Sequence, residues 1–314
     1  MILMFNKFFN FLRVNIMKKN ATVITIADTK GGSTKSTTAV NIAAFIAHAG
    51  LKTLLLDFDL EQPTACSYFP LQKEAPYGVY EFLIMHETDL DKLISATTTQ
   101  NLDVMSSNSV RQEIVSHLNA SADGIIRLKS CLKLLKSEYD VIVIDTVGTI
   151  DPTVNMAVLA SDVVLSPLDP SMPGVREYLR GTISNLFRSL IPFTDYGIEL
   201  PPVYTFFNRV EENNDCRRIK ELFNQQIKSL PPLPFQITVL DKDIKKKNSY
   251  KVAASLGIAA FQHYTEPTNK VAHPYKITKA QAQSIKDDIY YLCQHLLPRY
   301  QPQFDAFMKT EIAH

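Results

Sequence analysis

The sequence predicts an α/β protein: a doubly wound, mostly parallel sheet with helices on both faces. Three observations carry this expectation. Short β-branched and apolar runs alternate with longer segments of helical spacing. Several of the runs are apolar throughout, as strands covered on both faces are. Their tips carry a glycine-bearing loop or a carboxylate, and an open α/β sheet gathers its chemistry at that edge. At 314 residues the chain is long enough for ample core.

Taken in order, Met1 to Met17 is rich in Phe, Ile, Leu and Met, with Lys7 and Arg13 interspersed. It is too short and interrupted for a membrane span, and it lacks the basic start and cleavage site of a signal peptide. We read 1–20 as an extension outside the fold, with Met17 as an alternative start; an amphipathic membrane-surface helix is the competing reading. The folded domain is expected over 21–300, followed by a tail at 301–314. Ala21–Ala27 reads as a buried strand, and Ala39–Gly50 as a helix stopped by its glycine. Lys52–Asp59 is a strand ending in two carboxylates. The stretch from Ser67 to Asn101 reads as mixed and partly helical, with a turn into a short helix at Tyr77–Leu83. Leu102–Met105 is a candidate strand.

Ala122–Glu138 has the stripe of an amphipathic helix, leading into the strand Tyr139–Asp145. Asp162–Leu168 is a further buried strand, Asp169–Gly174 a loop, and Val175–Leu190 a helix. Pro202–Arg209 is a strand with Asn208 and Arg209 at its tip. A short last strand is expected to begin at Val239. Ile285, Ile289, Leu292 and Leu296 lie at helical spacing before Pro298.

The chemistry is concentrated in Asp28-Thr29-Lys30-Gly31-Gly32-Ser33-Thr34-Lys35-Ser36-Thr37-Thr38, between the first strand and the first helix. Backbone N–H groups of such a loop and the positive end of the helix dipole point at one spot, where a polyphosphate can sit. Lys35 would reach the β/γ-phosphates and the Ser36 hydroxyl would ligate Mg²⁺. The ordinary phosphate-loop pattern wants glycine where Thr29 and Thr34 stand, and a second lysine, Lys30, opens the loop instead. Asp57 and Asp59 end their strand at the edge that forms the site, and Asp145, closing its β-branched run, is placed to hold Mg²⁺ through water.

The Lys30-Gly31-Gly32-x-x-Lys35-Ser36 pattern resembles the deviant Walker A motif of the ParA/MinD family of P-loop ATPases. The form is closest to ParA (Soj)-type partition proteins, including those of mobile elements. The resemblance runs from Ala21 to about His263 and implies a SIMIBI-like P-loop fold, with ATP and Mg²⁺ as cofactors. It implies that Lys30, Gly31, Gly32, Ser33, Thr34, Lys35, Ser36 and Thr37 hold the phosphates. Lys30 would cross a dimer interface to the neighbour's phosphates. Ser36, Asp57 and Asp145 would hold the metal and its waters. Asp59 would orient the attacking water, with Lys30 and Lys35 offsetting charge. Asn208, with Arg209 beside it, resembles the asparagine that reads adenine in relatives.

The resemblance further implies an ATP-bound homodimer on non-specific DNA, and a ParB-like partner that stimulates a weak ATPase. That cycle would segregate a plasmid, mobile element or chromosome, with a cytoplasmic, nucleoid-associated location. A net charge of +1 means that DNA contact must come from a local patch. Arg217, Arg218, Lys220, Lys242, Lys245, Lys246, Lys247 and Lys251 are the candidates. The alternatives are a MinD-like ATPase cycling on membrane, a partner disfavoured by the missing amphipathic tail, and a non-hydrolysing nucleotide-binding adaptor. An iron–sulfur carrier is disfavoured because Cys66, Cys131, Cys216 and Cys293 form no paired motif.

Overall fold

β1 (Thr22–Ile26) lies in the middle of the sheet, between strands that follow it by more than a hundred residues. The structure is a computed structural model that describes residues 20–62, 64–108, 111–265 and 276–310. The N-terminal stretch 1–19 and residues 311–314 lie outside the described residues. Among those described, ten strands form one sheet in the order β10-β8-β7-β1-β6-β2-β5-β4-β3, with β9 also paired to β8. β2 (Thr53–Phe58), β5 (Leu102–Met105), β6 (Val141–Thr146), β7 (Val163–Leu168) and β8 (Val203–Val210) join β1 in parallel register. β2, β6 and β7 are buried at every position, which explains their unbroken apolar runs.

Two antiparallel strands, β3 (Leu71–Lys73) and β4 (Ser95–Thr97), extend the sheet beyond β5. The partly helical reading of 67–101 did not foresee them. Three-residue strands with no buried position on β3 leave no periodicity to read. The helical parts are Val79–Leu83, as expected, and Leu90–Leu93. At the other edge, β9 (Ile237–Val239) ends at Val239, where a strand was expected to begin. β9 pairs with Val203–Thr205, the chain swings out, and β10 (Ile244–Lys245) rejoins β8 at Asn208 and Val210. One strand edge is thus covered in two pieces, each too short to announce itself.

Helix α1 (Lys35–His48) is buried from Thr38 to Ala47. One core cluster joins it to β1, β2 and β6 and to α8 (Lys279–Leu296) and α9 (Gln301–Met308). The other face carries α2 (Arg111–Ala120), α3 (Arg127–Leu135) and α4 (Pro152–Ala160). The helix expected over 122–138 is a 3₁₀ turn at Gly124–Ile126 followed by α3, so it is shorter at both ends. α5 (Met172–Glu177) starts earlier than expected, because Ser171 accepts from the Gly174 N–H and Pro173 fits a first turn. It runs on as a π-helix over Tyr178–Phe187. α6 (Asn214–Lys228) and α7 (Ser249–Leu256) complete the helices, the latter ended by Gly257 at φ +68°.

Residues 301–310 of the expected tail are structured. Phe304 of α9 is fully buried against Phe45, with ring centroids 5.7 Å apart. Lys286, 1% exposed in α8, donates to the carbonyls of Phe307 at 2.8 Å and Thr310 at 3.1 Å. That ammonium caps the C-terminal end of α9. No helix of the described residues is long and apolar enough to cross a membrane.

Candidate phosphate-binding site

The loop after β1 emerges at the carboxyl edge of the central strands and turns into α1. Gly32 (φ +73°) and Thr34 (φ +73°) both take the left-handed conformation. Glycine enters that region freely, whereas threonine is strained there. Thr34 therefore stands where the backbone itself favours glycine. Its hydroxyl donates to the Ser33 carbonyl and accepts from Asn208 Nδ2. The loop and the strand tip of β8 are joined through this one side chain.

Lys35, 6% exposed, folds back over the loop and donates to the Lys30 carbonyl at 3.0 Å and Ser33 Oγ at 3.3 Å. Burial lowers its pKa, against the pull of Asp28, Asp145 and Asp59. The loop after β6 closes over it. A Cβ on Gly148 would lie 2.6 Å from Lys35 Nζ and 2.9 Å from the Lys30 carbonyl oxygen. Glycine is needed here for space, not for backbone conformation.

Asp57 and Asp145 are direct neighbours in the β2–β6 register, and both are fully buried. Asp57 accepts from the N–H groups of Cys66 at 3.0 Å and Asp59 at 3.2 Å, and burial pushes its pKa up to about 6. Asp145 has no hydrogen-bond partner on either oxygen. Burial and the Asp57 carboxylate push it up to about 8, which the nearby Ser36 hydroxyl and Lys35 ammonium only partly oppose. A buried orphan carboxylate beside a hydroxyl is a group waiting for a cation or a proton. Among the described residues no cluster of three or more His, Cys, Asp or Glu side chains is set to hold a metal. The Ser36 hydroxyl and the buried Asp57 and Asp145 carboxylates are oxygen donors, which suit a hard cation such as Mg²⁺.

Asp59 stands at the mouth of the cleft, where its Oδ1 accepts from Glu61 N at 3.1 Å and Gln62 N at 2.9 Å. The cleft has a volume of about 430 Å³ and is lined by the loop, Asp59, Glu61, Gln62 and Gly148. It shares Thr34 and Thr37 with a second cavity of about 280 Å³, which reaches Asn208, Arg209, Tyr250 and Ile289. Arg209 has φ +59°, and the β8–β10 register skips it, so a bulge sits beside Asn208. The expected phosphate and adenine residues thus line two adjoining spaces.

Two sets of expected residues have partners within the chain. The Lys30 ammonium is 2.8 Å from Asp169 Oδ2 and 3.5 Å from Ser171 Oγ. The run at 242–247 is paired in place. Lys242 and Lys247 meet Asp288, Lys245 meets Glu212, Lys246 meets Glu211 at 2.7 Å, and Lys220 meets Asp243. Arg217, Arg218 and Lys251 are exposed.

Other residues around the loop were not singled out from the sequence. Thr182 donates to Asp28 at 2.8 Å and accepts from Thr29 N at 3.1 Å, tying the loop to the π-helical segment. Asp169 was discoverable, since it follows a buried strand as Asp59 does.

Comparison with known proteins adds a family model, described as AAA domain, that matches residues 21–190. The sporulation initiation inhibitor protein Soj of Bacillus subtilis is 34% identical over 147 residues, covering 46% of this chain and 57% of Soj. The chromosome partitioning protein ParA of Myxococcus xanthus is 31% identical over 150 residues, covering 46% of this chain and 51% of that protein. The chain thus spans about half the length of the curated relatives it matches. An ATP complex of a Cyanothece McdA variant superposes with a TM-score of 0.64 at 17% identity, over 92% of this chain and 95% of that one. That likeness is one of fold.

Proposed function

The chain belongs to the AAA domain family, among the ParA/MinD-type P-loop ATPases, and on that premise we propose that it is a partition ATPase. It binds ATP with Mg²⁺, closes into a dimer on non-specific DNA, and is reset by hydrolysis. The observation that carries the reading is the Lys35 ammonium folded over a strand–loop–helix cradle, with the orphaned Asp145 beside Ser36.

The γ-phosphate would lie against Lys35 and the loop N–H groups, which neutralise charge without reorganising. Ser36, with Asp57 and Asp145 through water, would hold Mg²⁺, whose role is to neutralise the β- and γ-oxygens. Asp59 would orient the water that attacks phosphorus as the β–γ bridging bond breaks. Asn208 would read the purine from the second cavity, an amide matching a donor and an acceptor at once. ParA of Myxococcus xanthus is named a chromosome partitioning protein, and that name supports a partition role here.

DNA contact is assigned first to the exposed Arg217, Arg218 and Lys251, and next to Lys245 and Lys246, which are also exposed but each face an acid. A ParB-like protein is the proposed stimulator. The test is duplex DNA co-sedimentation with ATP, ADP and no nucleotide, alongside ATP turnover. Retention with ATP alone supports the switch; retention indifferent to nucleotide, or turnover that survives Lys35→Ala, overturns it.

A further inference from the structure

Two loops contribute to the phosphate cleft without lining the second cavity. One follows β2 and carries Asp59, Glu61 and Gln62; the other follows β6 and carries Gly148 and Asp151. They arise from neighbouring strands, and nothing in the backbone ladder holds their tips together beyond Phe58 and Thr146. Among the described residues, one side chain spans them. Arg111, the first residue of α2, donates through Nε to Asp151 Oδ2 at 2.6 Å and also through Nη2. Its Nη1 lies 3.3 Å from Glu61 Oε1.

The two ends of this bridge are unequal. Asp151 is 1% exposed and is already fixed as the N-cap of α4, accepting from Thr153 N at 2.7 Å. It is a rigid post, and a guanidinium gripped by it through two donors is held in orientation as well as position. Glu61 is the exposed end, with 46% of its side chain open to solvent. Its backbone N–H, however, is one of the two that hold the Asp59 carboxylate. Fixing the Glu61 side chain therefore fixes the turn that aims Asp59.

We propose that Arg111 is a positioning residue for hydrolysis: it locks the Asp59 turn to the Gly148 loop through Glu61 and Asp151. It does not line the cleft and takes no part in bond making. This rests on the reading of the site as an ATPase in which Asp59 orients water. In that step a water oxygen bonds to the γ-phosphorus, the β–γ bridging oxygen leaves with ADP, and the water's protons pass to phosphate and solvent. A misdirected Asp59 slows that step and leaves nucleotide binding alone, since Arg111 touches nothing that would grip ATP.

The experiment compares wild type with Glu61→Ala, Arg111→Lys and Arg111→Met. Glu61→Ala cuts only the exposed arm and leaves Asp151 paired, so folding is not at stake. It is expected to lower kcat about tenfold with the affinity for a fluorescent ATP analogue and the Tm unchanged, because small misplacements near the reacting atoms cost rate steeply. Arg111→Lys keeps the charge but loses the fork, and is expected to lose at least as much kcat. Glu61→Ala should add nothing to Arg111→Met, since both break one bridge. Amide exchange at Asp59, Glu61 and Gln62 should quicken in each variant. Unchanged kcat together with unchanged exchange overturns the proposal, and so does a loss confined to ATP affinity. Should wild type show no turnover, the hydrolytic reading fails, while amide exchange still decides whether Arg111 holds the turn.

Discussion

The Lys30 ammonium rests 2.8 Å from the Asp169 carboxylate, so the lysine that opens the phosphate loop is held within its own chain. Both side chains are roughly a quarter exposed. Burial alone would raise the Asp169 pKa, yet Lys30 and Ser171 together hold it below its usual value. A pair this accessible contributes about 0.5–1 kcal/mol. If Lys30 serves a second subunit's phosphates, this contact must break first. In an Asp59→Ala background with ATP, Asp169→Asn is expected to shift dimer formation to lower protein concentration in analytical ultracentrifugation. A weaker dimer would show that Asp169 instead holds Lys30 ready.

Thr34 is the next test. Its left-handed backbone costs about 1 kcal/mol for any residue with a Cβ. Thr34→Ala keeps that strain and loses the hydroxyl contact with Asn208; Thr34→Gly loses both. Thermal melts should therefore place Thr34→Gly above Thr34→Ala by the equivalent of about 1 kcal/mol, less glycine's extra chain entropy. The opposite order would mean that glycine's extra chain entropy outweighs the relief of strain.

The buried carboxylates set a pH dependence. Asp57 and Asp145 have raised pKa values, about 6 and about 8, so the native state binds protons that the unfolded chain has released. Stability without ligand should therefore fall as pH rises from about 4 through 8, with Asp145 responsible for the upper part. Asp145→Asn should flatten the melting curve between pH 6 and 8. A wild-type Tm rising over that range, with no difference in the variant, would contradict the burial argument.

Gly148 separates space from flexibility. An added methyl must push against Lys35 Nζ and the Lys30 carbonyl. Gly148→Ala is expected to weaken ATP binding about tenfold or more, an energy of about 1.4 kcal/mol, with little change in Tm. Equal affinity in calorimetry would show that the loop simply moves aside.

At the far end of α1, Lys286 holds α9 by its carbonyls. Lys286→Met keeps the stem's packing and leaves those carbonyls without their donor. Denaturant unfolding should show a loss of about 1–3 kcal/mol. An unchanged midpoint would mean that water replaces the ammonium.

The buried strands and the phosphate loop were legible because burial on both faces and phosphate geometry each demand a local pattern. Thr34 was visible as an oddity, and the left-handed backbone now explains it. Asp57, Asp59 and Asp145 could be named from their strand tips, but their neighbours could not. Arg111 meets Asp151 across forty residues, and Lys30 meets Asp169 across 139. Contacts so distant in the chain leave no periodic trace. The lysines at 242–247 are a further case: a charge run shows its cations in the sequence but not the acids, Glu211, Glu212 and Asp288, that fold beside it.

The position of β1 has a consequence for how the protein is made. Its partners are Val141–Asp145 on one side and Val163–Leu165 on the other. During synthesis the first strand must wait, unpaired, until nearly half of the chain has left the ribosome. Only then can the loop that follows it take shape, so a stalled or shortened transcript yields a product with no nucleotide pocket and an exposed apolar strand open to aggregation.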